Sequence, residues 1–299
     1  MLQQYDKRNN DIQIWVGDQL FARNEAKVSV FDSTVQGGDA VWEGVRIYDG
    51  KIFCLDKHLN RLMASAKAMA FAHIPTKAFI VDALMQTLKA NNQKDETHVR
   101  LTLSRGLKIT SGMDPRLNQF GSTLIIVAEW KPPVYPPSIK LITASQRRNS
   151  PMCLDSKIHH NNLINNILAK IEANFAGVDA AIMLDIYGFV SEANGVNIFM
   201  IKDGTVFTSH TDACLPGITR ATVIEICKSN HLPIVERNVS ITEFYSADEV
   251  FVTGTMGELT AVSEIDGRKI DQQHNESILQ KLKEYFKKKT ETEGTILNF

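Results

Sequence analysis

The sequence predicts a protein of mixed α and β class in two domains, and three observations carry that expectation. Its 299 residues, 43% of them hydrophobic and 22% charged, suffice for two sizeable cores. Short apolar runs of strand length alternate with stretches of helical period. One segment, Lys131-Pro-Pro-Val-Tyr-Pro-Pro137, sets four prolines in seven residues, too stiff for a helix or a sheet interior. The expected division is a smaller N-terminal α/β domain over 1–130, a linker over 131–137, and a larger C-terminal domain with a mixed sheet over 138–299.

Taken in order, Gln13 to Leu55 reads as short strands punctuated by Gly17-Asp18, Gly37-Gly38 and Asp49-Gly50. A helix is expected from about Leu55 to Phe71, because Leu59, Leu62, Met63, Ala66, Met69 and Ala70 recur as one stripe. Arg61 lies off that stripe. A second helix is expected over Phe79 to Asn91, then strands over Thr97–Leu103 and Ser122–Ala128. Beyond the prolines, strands at Ile139–Thr143, Ala180–Asp185, Val196–Ile201 and Val250–Thr253 alternate with helices at Leu163–Ala176, Thr219–Lys228 and Ile278–Lys288. The turns Tyr187-Gly188 and Asp203-Gly204 argue for antiparallel neighbours there rather than a doubly wound sheet.

Several function classes fit poorly. A net charge of −1 leaves no long basic surface for a nucleic acid. The widely spaced cysteines 54, 153, 214 and 227 form no metal-binding pair and suit a reducing compartment. The first ten residues lack an apolar leader, and the longest apolar run, Leu124–Ala128, is too short to span a bilayer. The expectation is a cytoplasmic protein without membrane, nucleic-acid or metal partners.

The chemistry concentrates in a few turns. Leu215-Pro-Gly-Ile-Thr-Arg220 opens straight into a helical pattern, so the N–H groups of a helix start and the Thr219 hydroxyl converge on one point, a site suited to phosphate. Taken alone, the turn reads first as an ordinary capped helix start with nothing bound, and only its companion motifs reverse that. Gly254-Thr255-Met256 follows an apolar strand and offers a second such concavity. Arg61 could supply a cation, or stand as a solvated surface arginine. Glu192 and Asn197 flank the bend 193–196, where a buried carboxylate could pair with a protonated ring nitrogen.

Together these stretches, Ser191-Glu192 with Asn197-Ile-Phe199, Leu215–Arg220 and Gly254-Thr255, resemble the class IV aminotransferases. The likeness extends upstream through Val28–Asp32, Gly38-Asp-Ala-Val-Trp-Glu-Gly-Val-Arg46 and His58-Leu-Asn-Arg61, and covers roughly residues 12 to 270. It implies a fold-type IV enzyme dependent on pyridoxal 5′-phosphate, most nearly of the branched-chain aminotransferase kind, acting on an amino acid and a 2-oxo acid as a homodimer, with an aminodeoxychorismate-lyase-like enzyme or a D-amino-acid aminotransferase as the alternatives. By the same resemblance Arg61, Ile218, Thr219 and Thr255, with Met256 in the same turn, hold the cofactor phosphate. Glu192 faces the pyridine nitrogen and Leu215 lies against the ring. A carboxylate there keeps the nitrogen protonated, so the ring can accept the electron pair left at the substrate Cα.

The family also needs a lysine that carries the cofactor and shuttles a proton. Lys157, the lysine ahead of the helix, falls at the branched-chain spacing if Asn161-Asn162 stands for the family's Asn-Tyr, with Asn162 replacing tyrosine. An ungapped alignment on the helix instead puts His159 at the lysine position, which implies either a protein that binds the cofactor without a covalent anchor or a Lys157 that reaches the site through a shifted strand. Lys157 is the expected catalytic residue, His159 and His160 are expected to line the site in either case, and Asn162 is expected among the cofactor-binding residues. Lys170 is set aside because it lies beside Glu172, off the stripe Ile164, Ile167, Leu168, Ile171 and Phe175.

For the substrate carboxylate the candidate clamps are Arg46, Arg100 and Arg105, each also readable as a surface ion pair. His98-Val-Arg100 resembles the Tyr-x-Arg of branched-chain enzymes, and Arg105-Gly106 the Arg-Gly of D-amino-acid aminotransferases and aminodeoxychorismate lyase. Trp42 stands where the family has phenylalanine, and Gly37 replaces a frequent tyrosine. Trp42 and Trp130 are expected to line a pocket more polar than one built for leucine side chains. The segment Lys108–Arg116 has the Gly and Pro content of a mobile loop.

Overall fold

The computed structural model describes residues 4–270 and 277–299, and the chain divides into two compact units. One runs to Pro132 and takes in Ile158–Asn162 and Thr290–Phe299; the other comprises Pro133–Lys157 and Leu163–Lys289. The first crossing therefore falls inside the proline-rich segment. The C-terminal unit is not one unbroken stretch over 138–299, because two later pieces of chain return to the N-terminal unit.

In the N-terminal unit the elements are β1 (Gln13–Val16), β2 (Gln19–Ala22), α1 (Ser33–Gly37), β3 (Ala40–Tyr48), β4 (Lys51–Ile52), α2 (Leu55–Ala68), α3 (Lys77–Ala90), β5 (Thr97–Ser104) and β6 (Thr123–Trp130). With a short C-terminal strand, Thr295–Ile296, they build a seven-stranded sheet that pairs antiparallel throughout, in the order C-terminal strand, β4, β3, β5, β6, β1, β2. Alternation sends Val41, Val45 and Ile47 of β3 and Val99 and Leu101 of β5 into one core with Leu59 and Leu62 of α2 and Leu84 and Leu88 of α3. Trp42, Gly44 and Arg46, with their partners Thr102, Arg100 and His98, face the other way. Over residues 40–42 the outer edge of β3 pairs with no strand of the sheet. Residues 158–162 run along that edge instead, Trp42 N donating to His159 O at 2.9 Å and Asn161 N to Ala40 O at 2.8 Å.

The second unit contains β7 (Ser138–Thr143), α4 (Ile164–Phe175), β8 (Ala180–Leu184), β9 (Val190–Ala193), β10 (Asn197–Lys202), β11 (Thr205–Thr208), α5 (Ile218–Ser229), β12 (Ile234–Glu236), α6 (Ile241–Tyr245), β13 (Glu249–Gly254), β14 (Glu258–Ile265), β15 (Arg268–Lys269) and α7, Ile278–Thr292, as far as Lys289. Its sheet runs β12-β11-β10-β13-β14-β7-β8-β9, with β15 on β14, and mixes parallel with antiparallel pairs. An Ala193–Val196 bridge turns β9 back toward β10. The expected hairpins are present: Asp203 and Gly204 both have positive φ, the conformation of a tight two-residue turn. Ile198, Met200, Val250, Val252 and Val262 form the core on one face. On the other face Phe199 and Phe251 stack at 4.9 Å.

One expected packing face is reversed. The stripe Ile164, Ile167, Leu168, Ile171 and Phe175 of α4 points to solvent, with Phe175 89% exposed, while Ala169 and Ala173 are fully buried. Small residues let the helix lie close on Ala181 and Met183 of β8, where bulky ones would hold it away. The segment Lys108–Arg116 is tied back on itself: Lys108 is buried, its ammonium donating to Gly112 O, and Arg116 pairs with Asp114. None of the described helices is long and apolar enough to cross a membrane.

Gly106 marks the tightest backbone approach, with φ of +105° and its missing Cβ only 1.7 Å from Gly121 O. Gly106→Ala should cost on the order of 3 kcal/mol, read as a lower urea midpoint at unchanged slope. An unchanged midpoint would contradict this account of the loop.

Candidate active site

In the C-terminal unit the site is built at one end of the sheet, round Glu192. The bend from β9 to β10 sets Glu192 and Asn197 side by side, and both are nearly buried. Glu192 Oε2 accepts from Asn197 Nδ2 at 3.2 Å and from Leu215 N at 3.3 Å, while Asn197 Nδ2 also reaches Leu215 O at 2.9 Å. Arg148 Nε donates to Glu192 Oε1 at 2.5 Å. This arginine, 44 residues upstream, is the partner that sequence reading missed.

The Pro216-Gly217 turn lies against Asn197 so closely that a Cβ on Gly217 would stand 2.0 Å from Asn197 Oδ1. Gly217 caps α5 without a side chain, so the first-turn N–H groups of Ile218 and Thr219 have neither an intrahelical acceptor nor a capping one. The register of β13 sets Thr253 opposite Asn197, on the same face, and its hydroxyl is buried without a partner. Gly254, Thr255 and Met256 follow as the turn into β14, Met256 O accepting from Val134 N at 3.1 Å. Glu192, Leu215, Ile218, Thr219 and the Thr255 turn are therefore brought together.

Lys157 is the last residue of the stretch Pro133–Lys157 of this unit. Its side chain is 45% exposed, with Nζ 3.5 Å from Asp155 Oδ1. Its charge acts on Cys214, the residue before Leu215, as do those of Glu192, Arg220 and Arg148. Burial, then the Glu192 charge, push the Cys214 thiol up to about 12, so this cysteine stays protonated and inert.

In the N-terminal unit a second carboxylate, Glu43, is completely buried. Its Oε1 accepts from Arg61 Nε at 2.7 Å and lies 3.3 Å from His159 Nδ1. Its Oε2 accepts from Arg61 Nη2 at 2.8 Å and lies 2.7 Å from His58 Nδ1. Burial alone would raise the Glu43 pKa, but hydrogen bonds from Arg61, then His159 and His58, hold it well below the usual value. An ionised carboxylate only accepts, so both Nδ1 atoms carry hydrogen and four N–H groups fill its four lone-pair sites. Burial lowers the pKa of His159 more than Glu43 raises it, which makes that ring a neutral donor. Arg61, expected on an open helix face, is thus a buried-pair arginine with its side chain 14% exposed.

His159 also packs against Trp42, the ring centroids 4.1 Å apart and the planes tilted by 38°, and Arg100 lies over the Trp42 ring at 4.0 Å while donating to Asn161 Oδ1 at 3.3 Å. Asn162 is exposed and packs on the Gly38 backbone. The remaining candidates separate. Arg46 is buried on the Trp42 side of the sheet, with Nη1 3.4 Å from Lys131 O and Nε unpartnered. Arg105 is spent on structure: it grips Asp39 through Nε and Nη2 and donates to the carbonyls of Met69 and Ala70. Trp130 pairs with Thr97, which pairs with Ile47, so the register turns it to the helix-bearing face, away from Trp42 and Arg100. Arg8 lies over its ring at 5.2 Å.

A fold-type IV architecture carrying a buried glutamate beneath a Pro-Gly helix start defines a class of protein, and comparison bears it out. Residues 40–265 match the family model for amino-transferase class IV, and the chain belongs to that family. It is 57% identical over 288 residues to the branched-chain-amino-acid aminotransferase-like protein 2 of Arabidopsis thaliana, covering 96% of this chain and 52% of the relative. The chain thus spans about half the length of that relative. A putative branched-chain-amino-acid aminotransferase of Methanocaldococcus jannaschii is 39% identical, with 92% of this chain and 96% of that protein covered. Among solved structures, the branched-chain amino acid aminotransferase of Thermobaculum terrenum in its PLP-bound holo form superposes at a TM-score of 0.83 and 26% identity, over 94% of each chain.

His98, between Arg46 and Glu129 in register, is pushed down to about 3 by burial and then by the charges of Lys131, Arg46 and Arg100. A depressed histidine pKa gives stability that is complete above the unfolded value of 6.5 and lost as pH falls toward about 3. His98→Gln should flatten the acid limb of urea stability in that window by up to about 1.4 kcal/mol per pH unit. A limb of unchanged slope would show that His98 titrates normally.

Proposed function

We propose that this protein is a pyridoxal 5′-phosphate-dependent aminotransferase moving an amino group between an amino acid and a 2-oxo acid, of the branched-chain type. The observation that carries the reading is the donor set round Glu192. An uncapped helix start, an orphaned buried hydroxyl at Thr253 and a glycine-only approach at Gly217 suit a bound phosphate ester, and a carboxylate fixed on three sides suits a ring nitrogen. The cofactor fits these residues. When bound, it supplies a conjugated ring that accepts the electron pair left at the substrate Cα.

The chain's own groups do the rest. Ile218 N–H, Thr219 and Thr255 would hold the phosphate and Leu215 would pack the ring, and the resemblance assigns Arg61 to the same phosphate. Glu192 would hold a proton at the ring nitrogen, its carboxylate kept aimed by Arg148 and Asn197. Lys157 Nζ would take the proton from the substrate Cα and deliver it to the cofactor carbon C4′, the shift that lets the amino group stay with the cofactor. Arg100, placed over the Trp42 ring, is the candidate clamp for the substrate carboxylate. Arg105 is withdrawn from that role because its donors are already engaged. The branched-chain names of the relatives support the substrate class, and the four free thiols support a cytoplasmic setting.

Borohydride reduction of the protein with pyridoxal 5′-phosphate, followed by peptide mapping, should fix one pyridoxyl group on Lys157, and Lys157→Ala should lose both the label and transamination. Labelling elsewhere would move the catalytic assignment, and no labelling with retained binding would favour the noncatalytic reading.

We also infer a homodimer. The resemblance supports it, as does the outward row of apolar side chains on α4, a kind of surface that marks protein contacts. Sedimentation should give twice the chain mass, and Ile167→Glu with Ile171→Glu should shift it toward the monomer. Wild-type protein that sediments as a monomer would rule the dimer out.

A further inference from the structure

We propose that Glu43 is a positioning residue for the cofactor phosphate, acting through Arg61, and that His159 ties the lysine segment to the same carboxylate. The inference rests on the reading that Arg61 meets the phosphate.

Three features of the Glu43 cluster lead there. An arginine side chain has four rotatable torsions, and a lone one loses rotamer freedom when it grips an anion. Here the grip of Glu43 on Nε and Nη2, at 2.7 and 2.8 Å, fixes the guanidinium plane beforehand. Second, the carboxylate is itself fixed. It is completely buried, and His58 and His159 occupy the remaining lone pair on each oxygen, so it cannot turn without leaving a donor orphaned. Third, His159 stands two residues beyond Lys157, on the segment paired with the edge of β3, where its N–H also donates to Ser65 Oγ at 3.1 Å. One carboxylate therefore sets both the arginine and the chain that leaves the lysine.

Glutamine at position 43 would keep the shape and remove the charge. Its amide N–H₂ would face N–H groups of Arg61 or His58, leaving at least one donor unmatched. The effect should appear as a loss of phosphate recognition, not of ring recognition. Pyridoxal 5′-phosphate and unphosphorylated pyridoxal separate the two.

The test is a titration of wild type, Glu43→Gln, Glu43→Asp and His159→Gln with each compound, followed by absorbance and tryptophan fluorescence. Glu43→Gln should weaken the phosphorylated compound by about 10- to 100-fold while changing pyridoxal affinity by less than about threefold. His159→Gln, which removes one of four donors and is the milder change, should give a smaller loss of the same selectivity. Glu43→Asp, which keeps the charge on a shorter stem, should recover part of it. In an Arg61→Ala background Glu43→Gln should have no further effect on the phosphate preference.

Equal weakening of both compounds in Glu43→Gln and His159→Gln would mean a purely structural role and overturn the proposal. So would an unchanged preference in either variant. Should Glu43→Gln not fold, His159→Gln decides alone by the same comparison. A wild type that does not prefer pyridoxal 5′-phosphate over pyridoxal would instead overturn the reading of the phosphate site itself.

Discussion

A carboxylate can be buried only if its lone pairs are filled, and each unit of this protein is organised round one that meets the condition. Glu43 gathers Arg61, His58 and His159 from α2 and the segment beside β3. Glu192 gathers Arg148, Asn197 and the Leu215 backbone from three separate stretches of chain. Removing a single partner from either cluster would strand a charge in low dielectric, a cost of several kcal/mol in typical cases. The surrounding elements are therefore held to one geometry. That geometry is what a site for a charged cofactor requires, because groups already oriented lose little freedom when the ligand arrives.

The two clusters use their carboxylates differently. Glu43 is saturated by donors and faces a helix inside the N-terminal core, which suits a fixed support. Glu192 lies at the end of a sheet, near an uncapped helix start and an orphaned hydroxyl, which suits a group that meets a ligand. The segment between them in sequence, from Lys157 to Asn162, passes from one unit to the other within a single peptide bond. A lysine at such a crossing belongs to one unit while the residues just after it are pinned by the other. The lysine proposed as catalytic and the segment 158–162 paired with β3 are thus chain neighbours.

Much of the fold was legible because it rests on local rules. Strand alternation gave β5, β6, β8, β10 and β13 to within a few residues, and Gly-based turns gave the antiparallel hairpins of the mixed sheet. The turn at Leu215–Arg220 and the bend at Glu192 were legible as motifs, since backbone donors and a carboxylate at fixed spacing carry their own chemistry. Helix faces were less secure. The large apolar residues of α4 look like a core stripe, yet close contact with β8 selects Ala169 and Ala173, and only a packed partner reveals which side is needed.

What the sequence determined by itself is most of the set of elements and the family signature, because those follow from near neighbours along the chain. Only the tertiary structure decided which ions meet: that Arg61 pairs with Glu43, that Arg148 finds Glu192, that Arg105 is spent on Asp39, and that Trp130 turns to the helix-bearing face. It also decided that two late pieces of chain complete the first unit. The physical reason is shared. Sheet register and helix packing fix distances between residues far apart in sequence, and a charge pairs with whichever partner those distances bring within about 3 Å.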